Sequence, residues 1–134
     1  MPVNDYNALP DTFVSPDPAV GQEATYTATD DISIESIRFT LVTSAAVANR
    51  FPALKLVDSS GNEVWRCSDS GARVASGTYE YSFFPGAPGS GLGVGFPLPI
   101  EGLKMRKGDV LSTVTTGKDA ADDYSAAKLR VGKW

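Results

Sequence analysis

A chain of 134 residues with a net charge of −4 and no histidine is one domain, large enough to bury roughly two thirds of its unfolded surface and to fold without disulfides or metals. The charge argues against nucleic acid and against a membrane surface, since both call for clustered Lys and Arg and the bases here are scattered among acids. Without histidine the chain has no Ser-His-Asp or Cys-His nucleophile system, no His-ligated zinc and no imidazole base. Thirteen Gly and nine Pro, among many Thr, Ser and Val, describe an all-β chain joined by tight turns.

In chain order, "MPVNDYNALPDTFVSPDPAVGQE" reads as an extended arm over residues 1–23. Pro2, Pro10, Pro16 and Pro18 deny ladder hydrogen bonds, while Tyr6, Leu9, Phe13 and Val14 supply isolated apolar anchors for a neighbouring subunit, the alternative being that the arm closes over its own sheet. Its start has neither a basic nor an apolar leader region, and no window of the chain reaches ~18 apolar residues, so synthesis in the cytosol is expected. Strands begin at Ala24. In "DISIESIRFTLVT" Ile32 and Ile34 share one parity and Ile37, Phe39 and Leu41 the other, which predicts a bulge or break near Glu35-Ser36.

"VANRFPALKLVDSSGNEVWRCS", Val47 to Ser68, predicts a hairpin with Leu54 and Leu56 inward. "GTYEYSFF" places Tyr79, Tyr81 and Phe83 on one face. "GAPGSGLGVGF", Gly86 to Phe96, lacks the Lys-Ser/Thr and the helix of a phosphate loop and is expected to be a projecting loop. "FPLPI" carries Pro97 and Pro99, which confine it to a sheet edge or a covering strap. "LKMRKGDVLSTVTT" gives a short strand, a turn at Lys107-Gly108-Asp109 and a longer strand; "YSAAKLRVGKW" turns Ala127, Leu129 and Val131 to one side.

About eight strands without βαβ alternation fit an antiparallel β-sandwich, with the jelly roll first among sandwiches. The expected organisation is an arm over 1–23 and a sandwich domain over 24–134. The core is expected to hold Ile37, Phe39, Leu41, Leu54, Leu56, Phe83, Leu129 and Val131. Cys67, the single cysteine, is expected to be a buried, inert thiol. Asp30-Asp31 and Asp122-Asp123 read as solvated turn acids; calcium at Asp122 and Asp123 and carboxylate catalysis are the lesser alternatives. No catalytic, cofactor-binding or metal residue is assigned, and no cofactor is expected.

"IRFTLVTSAAVANRFPALKLVDSSGNEVWR" and "PLPIEGLKMRKGDVLSTVTTGKDAADDYSAAKLRV", with the turn-separated alternation around them, resemble small β-sandwich virion proteins of tailed bacteriophages, capsid decoration (cement) proteins among them. The resemblance is one of pattern and spans about residues 32 to 131. It implies a structural role without enzyme activity: a homo-oligomer, a trimer favoured, bound to the major capsid protein on the outside of an assembled head. The alternative is a carbohydrate- or receptor-binding module of a tail, fibre or adhesin, with Trp65, Trp134 or a tyrosine as a stacking platform.

Overall fold

The computed structural model describes residues 11–69, 71–84, 95–98 and 103–133. Among them are eleven strands and no helix. One sheet holds β1 (Asp11–Val14), β3 (Ile32–Val42), β6 (Thr78–Phe83), β7 (Gly95–Leu98) and β11 (Lys128–Lys133), in the order β1-β11-β3-β6-β7. Two short strands, β8 (Lys104–Met105) and β10 (Asp123–Tyr124), also pair with β3. The second sheet holds β2 (Thr25–Thr27), β4 (Phe51–Val57), β5 (Glu63–Ser68) and β9 (Val110–Thr116), in the order β2-β9-β4-β5.

Setting aside the three accessory strands β7, β8 and β10, the other eight pair as nested antiparallel partners: β1 with β11, β2 with β9, β3 with β6, and β4 with β5. Folding that ribbon over, so that β11 meets β3 and β9 meets β4, produces the two sheets of a jelly roll. The accessory β7 lies at the edge, as Pro97 requires, and its pairing with β6 is parallel. The turn at Lys107-Gly108 forms as expected, but β8 and β9 on either side of it belong to different sheets.

The alternation of the sequence places the core. Every residue expected to face inward is buried: Ile37, Phe39, Leu41, Leu54, Leu56, Phe83, Leu129 and Val131. Phe39 is at the centre, its ring 5.4 Å from Tyr81, 5.7 Å from Phe83 and 5.7 Å from Tyr124. Each such side chain contributes about 1.5 to 3 kcal/mol by leaving water. The slip in β3 is a bulge at Glu35: Ile34 pairs with Val131 and Ser36 with Arg130, so the exposed Glu35 has no opposite residue.

Pairing in the larger sheet begins at Asp11, inside the segment expected to be an arm. Residues 11–14 fall between Pro10 and Pro16, which leaves room for four ladder positions against Lys128–Val131. Cys67 is half-buried instead of buried. It lies on β5, an edge strand whose inner face the opposite sheet covers only in part.

Candidate functional site

Four connections meet at one end of the sandwich: 15–24, 43–50, 69–77 and 117–127. Arg50, the residue before β4, ties them together and is fully buried. Its Nε and Nη2 donate to the two carboxylate oxygens of Asp122, 3.0 Å each. Nη2 also reaches the Ser44 hydroxyl at 3.0 Å, and Nη1 reaches the carbonyls of Ala46 and Ala48 at 3.0 and 2.6 Å. All five guanidinium N–H groups are thereby used within the chain. Asp122 is equally enclosed, accepting the Ser44 amide at 2.8 Å and the Asp119 amide at 2.9 Å in addition to Arg50.

A second ion pair lies beside the first. Arg73 grips Asp69 through Nε at 2.5 Å and Nη2 at 2.7 Å, and the buried Tyr81 hydroxyl donates to the same carboxylate at 2.5 Å. The two arginines are joined by their backbones, the Arg50 amide to the Arg73 carbonyl at 2.8 Å and the reverse at 2.7 Å. Thr43 holds the 69–77 connection through its hydroxyl, which donates to the Val74 carbonyl at 2.7 Å. Gly21 holds the 15–24 connection, its amide donating to the Asp122 carbonyl at 2.7 Å.

Two glycines make this fit possible. Gly21 has φ +85°, and a Cβ there would lie 2.5 Å from the Ala120 carbonyl oxygen; at Gly117, φ +79°, a Cβ would collide with the Asn49 carbonyl oxygen. Burial is the largest single influence on Asp122 and Asp69 and favours their protonation, but the donors together outweigh it, Arg50 with the Ser44 and Asp119 amides at Asp122 and Arg73 with the Tyr81 hydroxyl and the Gly71 amide at Asp69, so both carboxyls sit below the ordinary aspartate value. Burial pushes the Tyr81 and Tyr124 hydroxyls up. With its oxygens engaged by four donors, Asp122 holds loops in place and presents no free lone pair to a metal or a substrate. Asp30 and Asp31 are exposed turn acids as expected, and Asp123 starts β10, but Asp122 is fully buried on Arg50 and is not the solvated acid expected of it.

The outside of this end is apolar. Val47 is 97% exposed at the tip of the 43–50 connection, with the exposed Ala45, Ala46 and Ala48 beside it. Val20 and Val74 are more than half exposed on two other connections, and Phe51 and Val42 are exposed at adjoining strand ends. Sequence reasoning missed this surface. Its one signal is the run "SAAVAN", Ser44 to Asn49, too small and apolar for an ordinary solvated loop.

Of the expected partner-binding residues, Tyr6 and Leu9 lie outside the described residues. Phe13 and Val14 are on β1 and point to opposite faces. Phe13 pairs with the buried Leu129, faces inward and stacks on Tyr26 at 6.2 Å, closing the edge between the sheets. Val14 pairs with the exposed Lys128 and faces out. Trp65 is partly buried against the core, and Trp134 lies outside the described residues.

No protein-family model and no curated protein matches this chain. Among solved structures it is similar to the infectious bursal disease virus T13 particle, at 12% identity and a TM-score of 0.39 over 95% of this chain and 30% of that one. It is similar also to the Gt strain of the same virus, at 14% and 0.43 over 92% and 32%, and to a CocE/NonD family hydrolase of Staphylococcus aureus, at 12% and 0.42 over 94% and 33%. The chain thus spans about a third of the length of these structures, and they single out no function.

Proposed function

We propose that this chain is a non-enzymatic structural component of a phage particle, a capsid decoration (cement) protein that binds the outside of the assembled head. The observation that carries the reading is the loop end: apolar side chains held out to solvent on loops that a buried ion-pair network ties to one another. Burying one such valine is worth about 1.5 kcal/mol, roughly tenfold in affinity, and loops tied together lose less entropy on docking. The resemblance to small virion sandwiches supports the same role and implies the partner, the major capsid protein, and the oligomer, a trimer.

Two measurements test it. The solution mass should be three times the 14.1 kDa of one chain, and incubation with undecorated heads should give saturable co-sedimentation. A monomer that fails to sediment with any head preparation would contradict the proposal.

A further inference from the structure

On the outer face of the larger sheet, the alternation that turns Ile37, Phe39, Tyr81 and Leu129 inward turns Arg38, Thr40, Glu80 and Lys128 outward. Register sets Lys128 directly opposite Arg38 and Glu80 directly opposite Thr40. Like charges directly opposite on one sheet face repel. The ion pairs among the described residues are Arg50–Asp122, Arg66–Glu63 and Arg73–Asp69, and neither Arg38 nor Lys128 takes part in one.

Beside these two cations the sheet is open. β10 pairs with β3 at Leu41–Val42 and β11 pairs with it from Arg38 onward, and the residues between them leave the ladder. Ser125 stays attached to β3, its amide donating to the Thr40 carbonyl at 2.8 Å and its hydroxyl accepting the Thr40 amide at 2.9 Å. Ala127 is drawn the other way, its amide donating to the Ser15 hydroxyl at 2.8 Å. The result is a surface groove of about 560 Å³ lined by Arg38, Thr40, Glu80, Ser125, Lys128 and Asp17, among others. That volume falls within the range of small-molecule sites.

We propose that the groove binds a carboxylated saccharide unit, with the carboxylate between Arg38 and Lys128 and the sugar hydroxyls donating to Asp17 and Glu80. A guanidinium and an ammonium side by side suit one carboxylate, which relieves their mutual repulsion. The two rim carboxylates accept hydroxyl hydrogens and repel a second anionic group. They therefore favour one acid with several hydroxyls over an acidic peptide. The groove borders the loop end, since Asp17 and Ser125 belong to the 15–24 and 117–127 connections, but none of the exposed valines of that end lines it, so binding there and head attachment through Val47 can be told apart.

The test is an NMR titration of the full ¹⁵N-labelled chain with glucuronate and with N-acetylneuraminate, against glucose, acetate and inorganic phosphate. Saturable shifts at Thr40, Ser125, Ala126 and Lys128 are expected with at least one of the two acidic sugars in the millimolar range, and binding at least tenfold weaker for the three comparators. Lys128→Glu should lower the affinity for that sugar at least tenfold, while Val47→Asp leaves it unchanged. Phosphate or acetate binding as tightly would make this a plain anion site and overturn the saccharide assignment. Glucose binding as tightly would overturn the role of the cations, and no saturable shift with either acidic sugar would overturn the proposal whole.

Discussion

The two ends of the sandwich are built on opposite plans. At the end formed by 15–24, 43–50, 69–77 and 117–127, charges are inside, as Arg50–Asp122 and Arg73–Asp69, and valines and alanines are outside. At the other end, the turns 28–31, 58–62 and 106–109 put Asp30, Asp31, Arg106 and Lys107 into solvent. Their ties run through backbone amides, such as the Lys107 amide on the Asp31 carboxylate at 3.0 Å and the Ala28 amide on the Asp109 carbonyl at 2.9 Å. Ordinary turns need only the second plan. Burying two ion pairs to hold apolar loops in one shape costs desolvation that solvated turns avoid, and it is understandable where the shape of the surface matters.

Breaking the buried pair should have the largest effect. Asp122→Ala leaves the Arg50 guanidinium buried without its carboxylate, and a loss of about 3 to 5 kcal/mol is expected in urea unfolding. Lys107→Ala at the charged end should stay within about 0.5 kcal/mol. Equal, small losses at both positions would erase the distinction between the ends.

A pair of glycines sharpens it. Gly117 and Gly61 both have positive φ, +79° and +90°, but a Cβ at Gly117 would meet the Asn49 carbonyl whereas one at Gly61 meets nothing within 4 Å. Gly61→Ala should cost about 1 kcal/mol of backbone strain, and Gly117→Ala about 2 to 3 kcal/mol because strain and collision add. Thermal unfolding of the two variants, side by side, measures the difference; equal costs would mean that 43–50 is not held against 117–122.

Acid should separate the ends as well. Asp69 and Asp122 are held below the ordinary 3.8. A depressed folded pKa contributes stability that is complete above the unfolded value and is lost as pH falls through the folded one. The apolar end should therefore lose stability progressively as the pH falls below 3.8, and the Arg50 and Arg73 amides, each bonded to the other's carbonyl, should lose hydrogen-exchange protection along that descent. Asp122→Asn should show the weaker protection already at neutral pH.

Much of the fold was legible because a jelly roll is written in short-range alternation. Ile37, Phe39 and Leu41 against Ile32 and Ile34 reveal both the inner face and the bulge at Glu35, and the prolines of "FPLPI" place β7 at an edge. The loop end was not legible. Arg50 and Asp122 are 72 positions apart, and no local period ties an arginine after a small, apolar loop to one member of an Asp-Asp pair. Asp122 looks like its neighbour Asp123 in the sequence, and only the closure of β9, β10 and β11 around it decides which of the two is buried. β1 was hidden by its length, since four residues between prolines carry too little alternation to separate a strand from an arm. Cys67 shows the same limit, because alternation gives the face of a strand but not how far the opposite sheet extends over it.

Attachment through the apolar end is tested most directly by a single charge placed at its tip. Val47→Asp alters a side chain that is 97% exposed, so the fold and its unfolding midpoint should be unchanged while affinity for undecorated heads in co-sedimentation falls at least tenfold. Lys107→Asp at the charged end should bind heads as the unmodified chain does. If Val47→Asp is folded and binds heads at full affinity while Lys107→Asp does not, the chain attaches through its charged end and the apolar loops are not its docking surface.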